Sequence, residues 1–247
     1  MEKSSHNFTF FLKSSANYKP TVAISSCLVG KPVRYDGGGN LLTTANYLTD
    51  KLTLIEVCPE VGAGMSVPRP PIRLVENDSG IEAIGRHDAS LKVTAALKQY
   101  SLKSVKQLST VIDGYIFKSR SPSCGINSTP IYTNHDHSNR PKRFGSGVQA
   151  HYVQQQMPWL PLREEVELEK TDQCRQFILQ CRVYRDLRMA NKTASLATIH
   201  QHYLPLINTM NIHTQNELKQ WQLKEVKEKY WAAFILAMSR KLDSVNS

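Results

Sequence analysis

Residues 21–38 read TVAISSCLVGKPVRYDGG, an apolar and β-branched run that leads into a cysteine. The run Thr21–Ser25 predicts a short buried strand, because it is apolar and turn-forming residues follow it. Two further segments share this composition and also lead into a cysteine. The predicted strands are Thr21–Ser25, Leu52–Val57 and Ile112–Phe117, and the cysteines that follow them are Cys27, Cys58 and Cys124.

A helical pattern lies between the second and third predicted strands. Apolar residues recur at nearly 3.6-residue spacing across Ser90–Leu108, which predicts a helix there. Because strand and helix alternate, we expect an α/β fold, with a Rossmann-like N-terminal domain and a mostly parallel sheet. The carboxyl ends of parallel strands share one edge of a sheet. Cys27, Cys58 and Cys124 are therefore expected to meet there if the three strands are neighbours.

The sequence pattern changes near residue 160. Residues 157–169 read MPWLPLREEVELE, prolines followed by acidic residues, which indicates a joint between two domains. Beyond this joint the apolar spacing is helical. We therefore predict a first domain of residues 1–160 and a small all-helical domain of residues 161–247. The predicted helices of the second domain are Cys174–Met189, Ala194–Met210 and Asn216–Lys241.

Other residues of metal-binding type are not predicted to be ligands. Residues 129–146 are polar and basic, which predicts a long loop, and we interpret its His135 and His137 as solvated. Cys174 and Cys181 are seven residues apart on a predicted helix and lack glycine or proline neighbours. We interpret them as small core residues, since free cysteine is usually buried. The three strand-end cysteines remain as the candidates.

The composition indicates a globular protein with a polyanionic partner. The chain has 247 residues, of which 40% are hydrophobic and 21% charged, and a net charge of +10. Excess Lys and Arg favours nucleic acid, because they neutralise phosphate. No apolar run approaches the roughly 20 residues of a membrane span. The first residues lack the apolar core of a signal peptide, and five cysteines favour a reducing compartment. We expect a cytoplasmic protein that needs neither a membrane nor an obligate protein partner.

The cysteine loops have a composition that suits a metal site. Each has glycine or proline within three residues of the cysteine, which lets backbone N–H groups approach sulfur closely. Three thiolates without a fourth would leave one iron of a [4Fe-4S] cluster open for substrate. The separations of 31 and 66 residues match no compact ferredoxin run. From the residues alone, a cluster, a zinc site and structural cysteines remain alternatives.

Three motifs around these cysteines resemble those of the thiouracil desulfidase (TudS-like) family. They are CLVGKPVRYDG at residues 27–37, CPE at residues 58–60 and KSRSPSCG at residues 118–125. The resemblance runs from about Pro20 to Trp159. It implies a [4Fe-4S] cluster bound by Cys27, Cys58 and Cys124, with an open fourth iron that takes up sulfur from a thiolated pyrimidine without redox chemistry.

The same resemblance implies roles for residues beside the cysteines. Glu60 and Ser121 correspond to residues that the family uses in catalysis. A carboxylate within hydrogen-bond reach of the thiocarbonyl could activate water or deliver a proton to the ring. Arg34, Lys118 and Arg120 are candidates for binding substrate phosphate or offsetting the charge of the cluster.

The C-terminal part resembles a divergent, shortened form of the YbgA-like helical domain. The resemblance lies in the junction at residues 160–172 and the helix at residues 174–188. Fusion of such a domain implies action on 4-thiouridine in transfer RNA (tRNA), whereas stand-alone members act on free thiouracil. Arg175, Arg182 and Arg185 fall on one helix face and are candidates for phosphate contacts.

These observations predict a [4Fe-4S]-dependent desulfidase that converts 4-thiouridine in tRNA to uridine and sulfide. The first alternative keeps the chemistry but takes free 2-thiouracil or a similar small thiopyrimidine as substrate. The second alternative is of another class, a metal-containing RNA-binding or sensing protein without turnover.

Overall fold

The computed structural model describes residues 19–133, 140–190 and 195–240. The chain divides into two compact units, one of Thr21–Cys174 and another that begins at Arg175. We refer to them as the N-terminal unit and the helical unit. The predicted assignment of separate roles to residues 1–160 and 161–247 stays a prediction.

A wholly parallel four-stranded sheet forms the centre of the N-terminal unit. Its strands in spatial order are β2 (Thr53–Val57), β1 (Thr21–Ser25), β5 (Gly114–Phe117) and β8 (Leu162–Glu164). The three predicted strands are therefore neighbours in one parallel sheet, and the α/β prediction is confirmed. All of the residues of β1 are buried, as expected for a central strand covered on both faces.

A second sheet of four strands contradicts the predicted loop at residues 129–146. Its order is β4 (Gly80–Gly85), β3 (Ile72–Asn77), β6 (Thr129–Thr133) and β7 (Arg143–Gly145). The loop prediction was wrong because the segment is rich in polar and basic residues, whereas its Ile131 packs into a small core with Ile72 and Leu74. The hairpin of β3 and β4 was not predicted. His135 and His137 lie outside the described residues.

Four helices complete the N-terminal unit. They are α1 (Ala45–Lys51), α2 (Pro59–Gly62), α3 (Thr94–Leu108) and α4 (Val148–Gln156). The predicted helix over Ser90–Leu108 is α3, which begins four residues later than predicted. The reason is that the preceding backbone pairs with β4 instead: Val93 N–H donates to Ala83 at 3.0 Å, and Gly85 N–H donates to Leu91 at 2.8 Å.

The remaining helices are α5 (Thr171–Ala190), α6 (Leu196–Ile207), α7 (Ile212–Leu223) and α8 (Lys227–Arg240). The predicted single helix over Asn216–Lys241 was wrong, because the chain turns at Glu225, where φ is +52°. No glycine or proline marks this turn, and packing of α7 and α8 on a shared core selects it. Cys174 and Cys181 are fully buried, as predicted. Among the described residues, no helix has the length and apolar character needed to cross a membrane.

The N-terminus of α7 offers a test of the helical unit. The Asn211 side chain accepts a hydrogen bond from Thr214 N–H at 2.9 Å. We expect Asn211→Ala to lower the free energy of unfolding by about 1 kcal/mol, because this N–H loses its cap. Asn211→Ser should restore most of the loss, and Asn208→Ala, at the other end of the same turn, should have little effect. Urea unfolding followed by far-UV circular dichroism measures all three.

Candidate active site

The three strand-end cysteines line one cavity of about 260 Å³, which we call the cysteine cavity. Cys27 lies in the turn of 3-10 helix after β1, Cys58 immediately precedes α2 after β2, and Cys124 lies on the loop after β5. The cavity thus opens at the carboxyl edge of the parallel sheet. Their convergence is the arrangement that the strand-end argument predicts.

Burial controls the protonation of these thiols. It raises the pKa of Cys27 to about 11, with a smaller rise from the nearby Cys58. Burial also raises the pKa of Cys58 and, well above the ordinary range, that of Cys124. Backbone N–H groups of Val61 and Glu60 oppose the shift at Cys58, since they stabilise its thiolate. At neutral pH the metal-free thiols are protonated, so a cation bound here must displace protons.

Two of the three thiols have hydrogen-bond partners within the protein. Within residues 19–133, 140–190 and 195–240, no three His, Cys, Asp or Glu side chains are grouped so as to hold a single metal ion. Cys58 instead points its thiol towards the carbonyl of Val33 at 4.0 Å, while Cys124 is hydrogen-bonded to the hydroxyl of Ser25.

Glu60 lines the cysteine cavity and is held from two sides. Its Oε2 accepts a hydrogen bond from Arg69 Nε at 2.8 Å, and its Oε1 accepts one from Ser123 Oγ at 3.0 Å. The ion pair is nearly removed from solvent, with the Arg69 and Glu60 side chains 4% and 13% exposed. Two fixed donors set the direction in which the carboxylate faces.

Arg69 was missed by the sequence analysis, and it ties two cysteine loops together. Besides Glu60, its guanidinium donates to the carbonyls of Val33 at 2.9 Å and Ser66 at 3.2 Å. Its backbone N–H donates to the carbonyl of Tyr35 at 2.9 Å. An arginine between two prolines in the same loop as the CPE motif was the available signal.

Ser121 lines the cysteine cavity, but Ser123 is the serine that contacts Glu60. The hydroxyl of Ser121 accepts hydrogen bonds from the backbone N–H groups of Ser123 at 3.3 Å and Cys124 at 3.2 Å. It therefore stabilises the turn that carries the third cysteine. The catalytic role of Ser121 stays a prediction, and Ser123, which is fully buried, was missed.

The predicted basic residues have different surroundings. Arg34 lines the cavity and forms an exposed pair with Asp36 at 3.3 Å. Lys118 also lines it, and its ammonium donates to Glu165 and to two oxygens of Ser119. Arg120 is exposed and has a left-handed backbone, with φ +59°. The remaining candidates lie on α5 within the helical unit, and their role stays a prediction: Arg175, Arg182 and Arg185.

A second cavity of about 320 Å³, the arginine cavity, also has Glu60 and Arg120 in its wall. Two arginines that the sequence analysis did not single out, Arg73 and Arg86, line it as well. The Arg73 guanidinium lies over the ring of Tyr132, 5.6 Å from its centre. Its buried Nε has no hydrogen-bond partner among the described residues. Guanidinium groups in the wall of a cavity suit an anionic ligand.

Comparison with known proteins places this site in a family. Residues 22–165, more than half of the chain, match the family model described as 2-thiouracil desulfurase. The chain therefore belongs to the 2-thiouracil desulfurase family. It is similar to the uncharacterized protein YbbK of Bacillus subtilis (strain 168), with 31% identity over 143 residues that cover 54% of this chain and 89% of that protein.

One solved structure is also similar. It is the [4Fe-4S]-dependent thiouracil desulfidase TudS, with a TM-score of 0.49 and 25% sequence identity. The matched region covers 61% of this chain and 93% of that chain.

The buried pair of Arg69 and Glu60 predicts a large effect on stability. We expect Arg69→Met to lower the free energy of unfolding by about 3 kcal/mol, because it leaves the Glu60 carboxylate unpaired in a buried position. The double variant Arg69→Met/Glu60→Gln should recover part of this loss, since it removes the unpaired charge. Chemical denaturation measures both.

Arg34→Met is the matched control, because it breaks an arginine–carboxylate pair that water screens. It should leave the unfolding midpoint nearly unchanged. Equal losses in Arg34→Met and Arg69→Met would show that burial of the second pair has no special effect.

Proposed function

We propose that this protein is a [4Fe-4S]-dependent desulfidase that removes sulfur from thiolated uracil, with 4-thiouridine in tRNA as its substrate. The products are uridine and sulfide. The observation that carries the proposal is the convergence of three cysteines and the fixed Glu60 carboxylate on one cavity, in a chain of the 2-thiouracil desulfurase family.

The residues of the cysteine cavity suit an iron–sulfur cluster. Cysteine thiolates are the usual ligands of such clusters, and each binds a different iron, so the thiols do not have to converge on one point. Cys27, Cys58 and Cys124 would hold it, and the backbone N–H groups directed at Cys58 would stabilise thiolate sulfur. When bound, it would supply an iron without a cysteine ligand, a Lewis acid with affinity for sulfur.

The overall reaction balances without electron transfer. Water adds oxygen to the thiocarbonyl carbon, the carbon–sulfur bond breaks, and both hydrogens of water leave with the sulfide. Glu60 would accept a proton from this water, a role supported by its free lone pairs, since each of its oxygens accepts one hydrogen bond from the protein and keeps a second lone pair. Arg69 and Ser123 prevent the carboxylate from turning away from the cavity.

The arginine cavity supports a nucleotide substrate over a free base. It adjoins the cysteine cavity through the shared Glu60 and Arg120, and Arg73 and Arg86 add positive charge at its wall. Phosphate groups next to the reacting uracil would fit the positive charge of this cavity, since guanidinium groups bind phosphate through bidentate hydrogen bonds. Phosphate contacts of this kind position a polynucleotide without reading its sequence, and the target base is brought out of the stack.

Removal of a cysteine tests the chemistry. We expect Cys27→Ser, Cys58→Ser and Cys124→Ser, each reconstituted anaerobically with iron and sulfide, to lose turnover down to background, because a cluster ligand is gone. Cys181→Ser, which changes a core cysteine of the helical unit, should retain it. Loss of thiocarbonyl absorbance and release of sulfide are the measurements. Wild-type turnover in the metal-free protein would contradict the proposal.

Substitutions at the arginine cavity test whether the substrate is tRNA or a free base. We expect Arg73→Ala and Arg86→Ala each to raise KM for thiolated tRNA by about tenfold, the loss of about 1.4 kcal/mol of binding. Neither should affect free 2-thiouracil, and activity on tRNA alone should fall with added salt. Arg143→Ala is the control, because Arg143 is paired with Glu76 in the second sheet, outside the arginine cavity.

The two substrates separate the proposal from its alternatives. Turnover of free 2-thiouracil without turnover of tRNA would favour a small-molecule desulfidase. Tight binding of tRNA with no turnover of either substrate would favour a binding or sensing protein.

A further inference from the structure

Two adjacent glutamates, Glu164 and Glu165, are buried at the end of β8, with only 8% and 7% of their surface exposed. Neither belongs to the three cysteine motifs at residues 27–37, 58–60 and 118–125. Buried carboxylates are costly unless hydrogen-bonded. Apart from the backbone N–H of Glu167, which also donates to the Glu164 side chain, their hydrogen-bond donors lie on one segment, residues 118–128, which carries Cys124.

Glu165 holds the beginning of this segment. Its Oε2 accepts a hydrogen bond from Ser119 N–H at 2.6 Å, and its Oε1 accepts one from the Ser119 hydroxyl at 2.7 Å. The same oxygen forms an ion pair with the Lys118 ammonium. Since Ser119 supplies two further acceptors, all three N–H bonds of Lys118 are occupied. Lys118 is therefore held as a fixed charge rather than offered to a phosphate.

Glu164 holds the end of the segment. It accepts a hydrogen bond from Ile126 N–H at 2.7 Å and another from the Ser128 hydroxyl. The Ser128 oxygen in turn accepts a hydrogen bond from Arg120 N–H at 2.8 Å. This links Glu164 to the residue just before the Ser121–Cys124 turn, where the backbone has its left-handed conformation.

We propose that Glu164 and Glu165 are positioning residues of the cysteine cavity, which clamp segment 118–128 from both ends and keep Cys124 in place. Glu165 has a second role, because it pairs with the Lys118 ammonium, which lines the cysteine cavity, and so sets the net charge at the wall of this cavity. The segment after residue 160, assigned by the sequence to the helical domain, thus completes the active site. The charge-setting role rests on the proposed cluster; the clamp does not.

Thiol labelling of the full-length, metal-free chain tests the clamp. Iodoacetamide modification of each cysteine is followed by mass spectrometry of peptides. We expect Glu164→Ala and Glu165→Gln to raise the labelling rate of Cys124 by about tenfold, because the first removes the acceptor of Ile126 N–H and the Ser128 hydroxyl and the second sets an amide N–H against a donor, so that the segment opens locally. Glu169→Gln, an exposed glutamate nearby, should have no effect, and Cys181 should stay protected in every variant.

Two milder variants keep the clamp testable if one of these glutamate variants unfolds and exposes Cys181. Ser119→Ala and Ser128→Ala each remove one hydroxyl from the clamp, and each should raise labelling of Cys124 but not of Cys181. An unchanged labelling rate of Cys124 in the folded variants would overturn the clamp.

The reduction potential of the reconstituted protein tests the charge-setting role, because a residue with only a structural role would leave this potential unchanged. Glu165→Gln removes the negative charge that pairs with Lys118 at the wall of the cysteine cavity, so we expect the potential to rise, because the reduced cluster is the more negative state. Glu164→Gln should shift it less and Glu169→Gln not at all. An unchanged potential in Glu165→Gln would overturn this role. Failure of the wild-type protein to bind a cluster would refute the proposed function. The labelling result, obtained on the metal-free chain, would still decide whether the clamp exists.

Discussion

The parallel pairing of β1 with β2 on one side and β5 on the other is the constraint on which the N-terminal unit depends. In a parallel sheet every strand ends at the same edge, so the loops that follow three strands must meet there. The register sets Ser25 opposite Val57, and Ile24 opposite Ile116, which brings the following loops to a common level. Cys27, Cys58 and Cys124 therefore line one cavity, although 97 residues separate the first from the last.

Carboxylates then fix the loops that the sheet brings together. Glu60 binds Arg69 and Ser123, which belong to the second and third cysteine loops, and Arg69 also reaches back to the first. Glu164 and Glu165 hold the third loop from the far side. These carboxylates are buried or nearly so, and each has charged or N–H donors, so the desolvation of each charge is compensated where it occurs. The thiols, by contrast, stay neutral until a cation displaces their protons.

Local patterns predicted the three strands that lead into the cysteines and failed for parts of the second sheet and of the helical unit. The strand Thr21–Ser25 was found as predicted, because an apolar β-branched run has few other uses. The strands β6 and β7 were taken for a loop, since polar and basic residues dominate the segment that contains them. The helices α7 and α8 were merged into one, because helical periodicity records which residues are apolar and not whether the backbone reverses at Glu225.

The sequence by itself determined the α/β class, through the alternation of strand and helix patterns. Short motifs at the strand ends also singled out the three cysteines and the carboxylate that follows the second of them as candidate site residues. Only the tertiary structure decided which partners complete the site. The sequence gives little sign that Arg69, Ser123, Glu164 and Glu165 differ from other polar residues. Their importance comes from burial and from hydrogen-bond partners up to 63 residues away along the chain. Which polar groups share a buried environment depends on how the strands and loops pack, and no local sequence pattern contains that information.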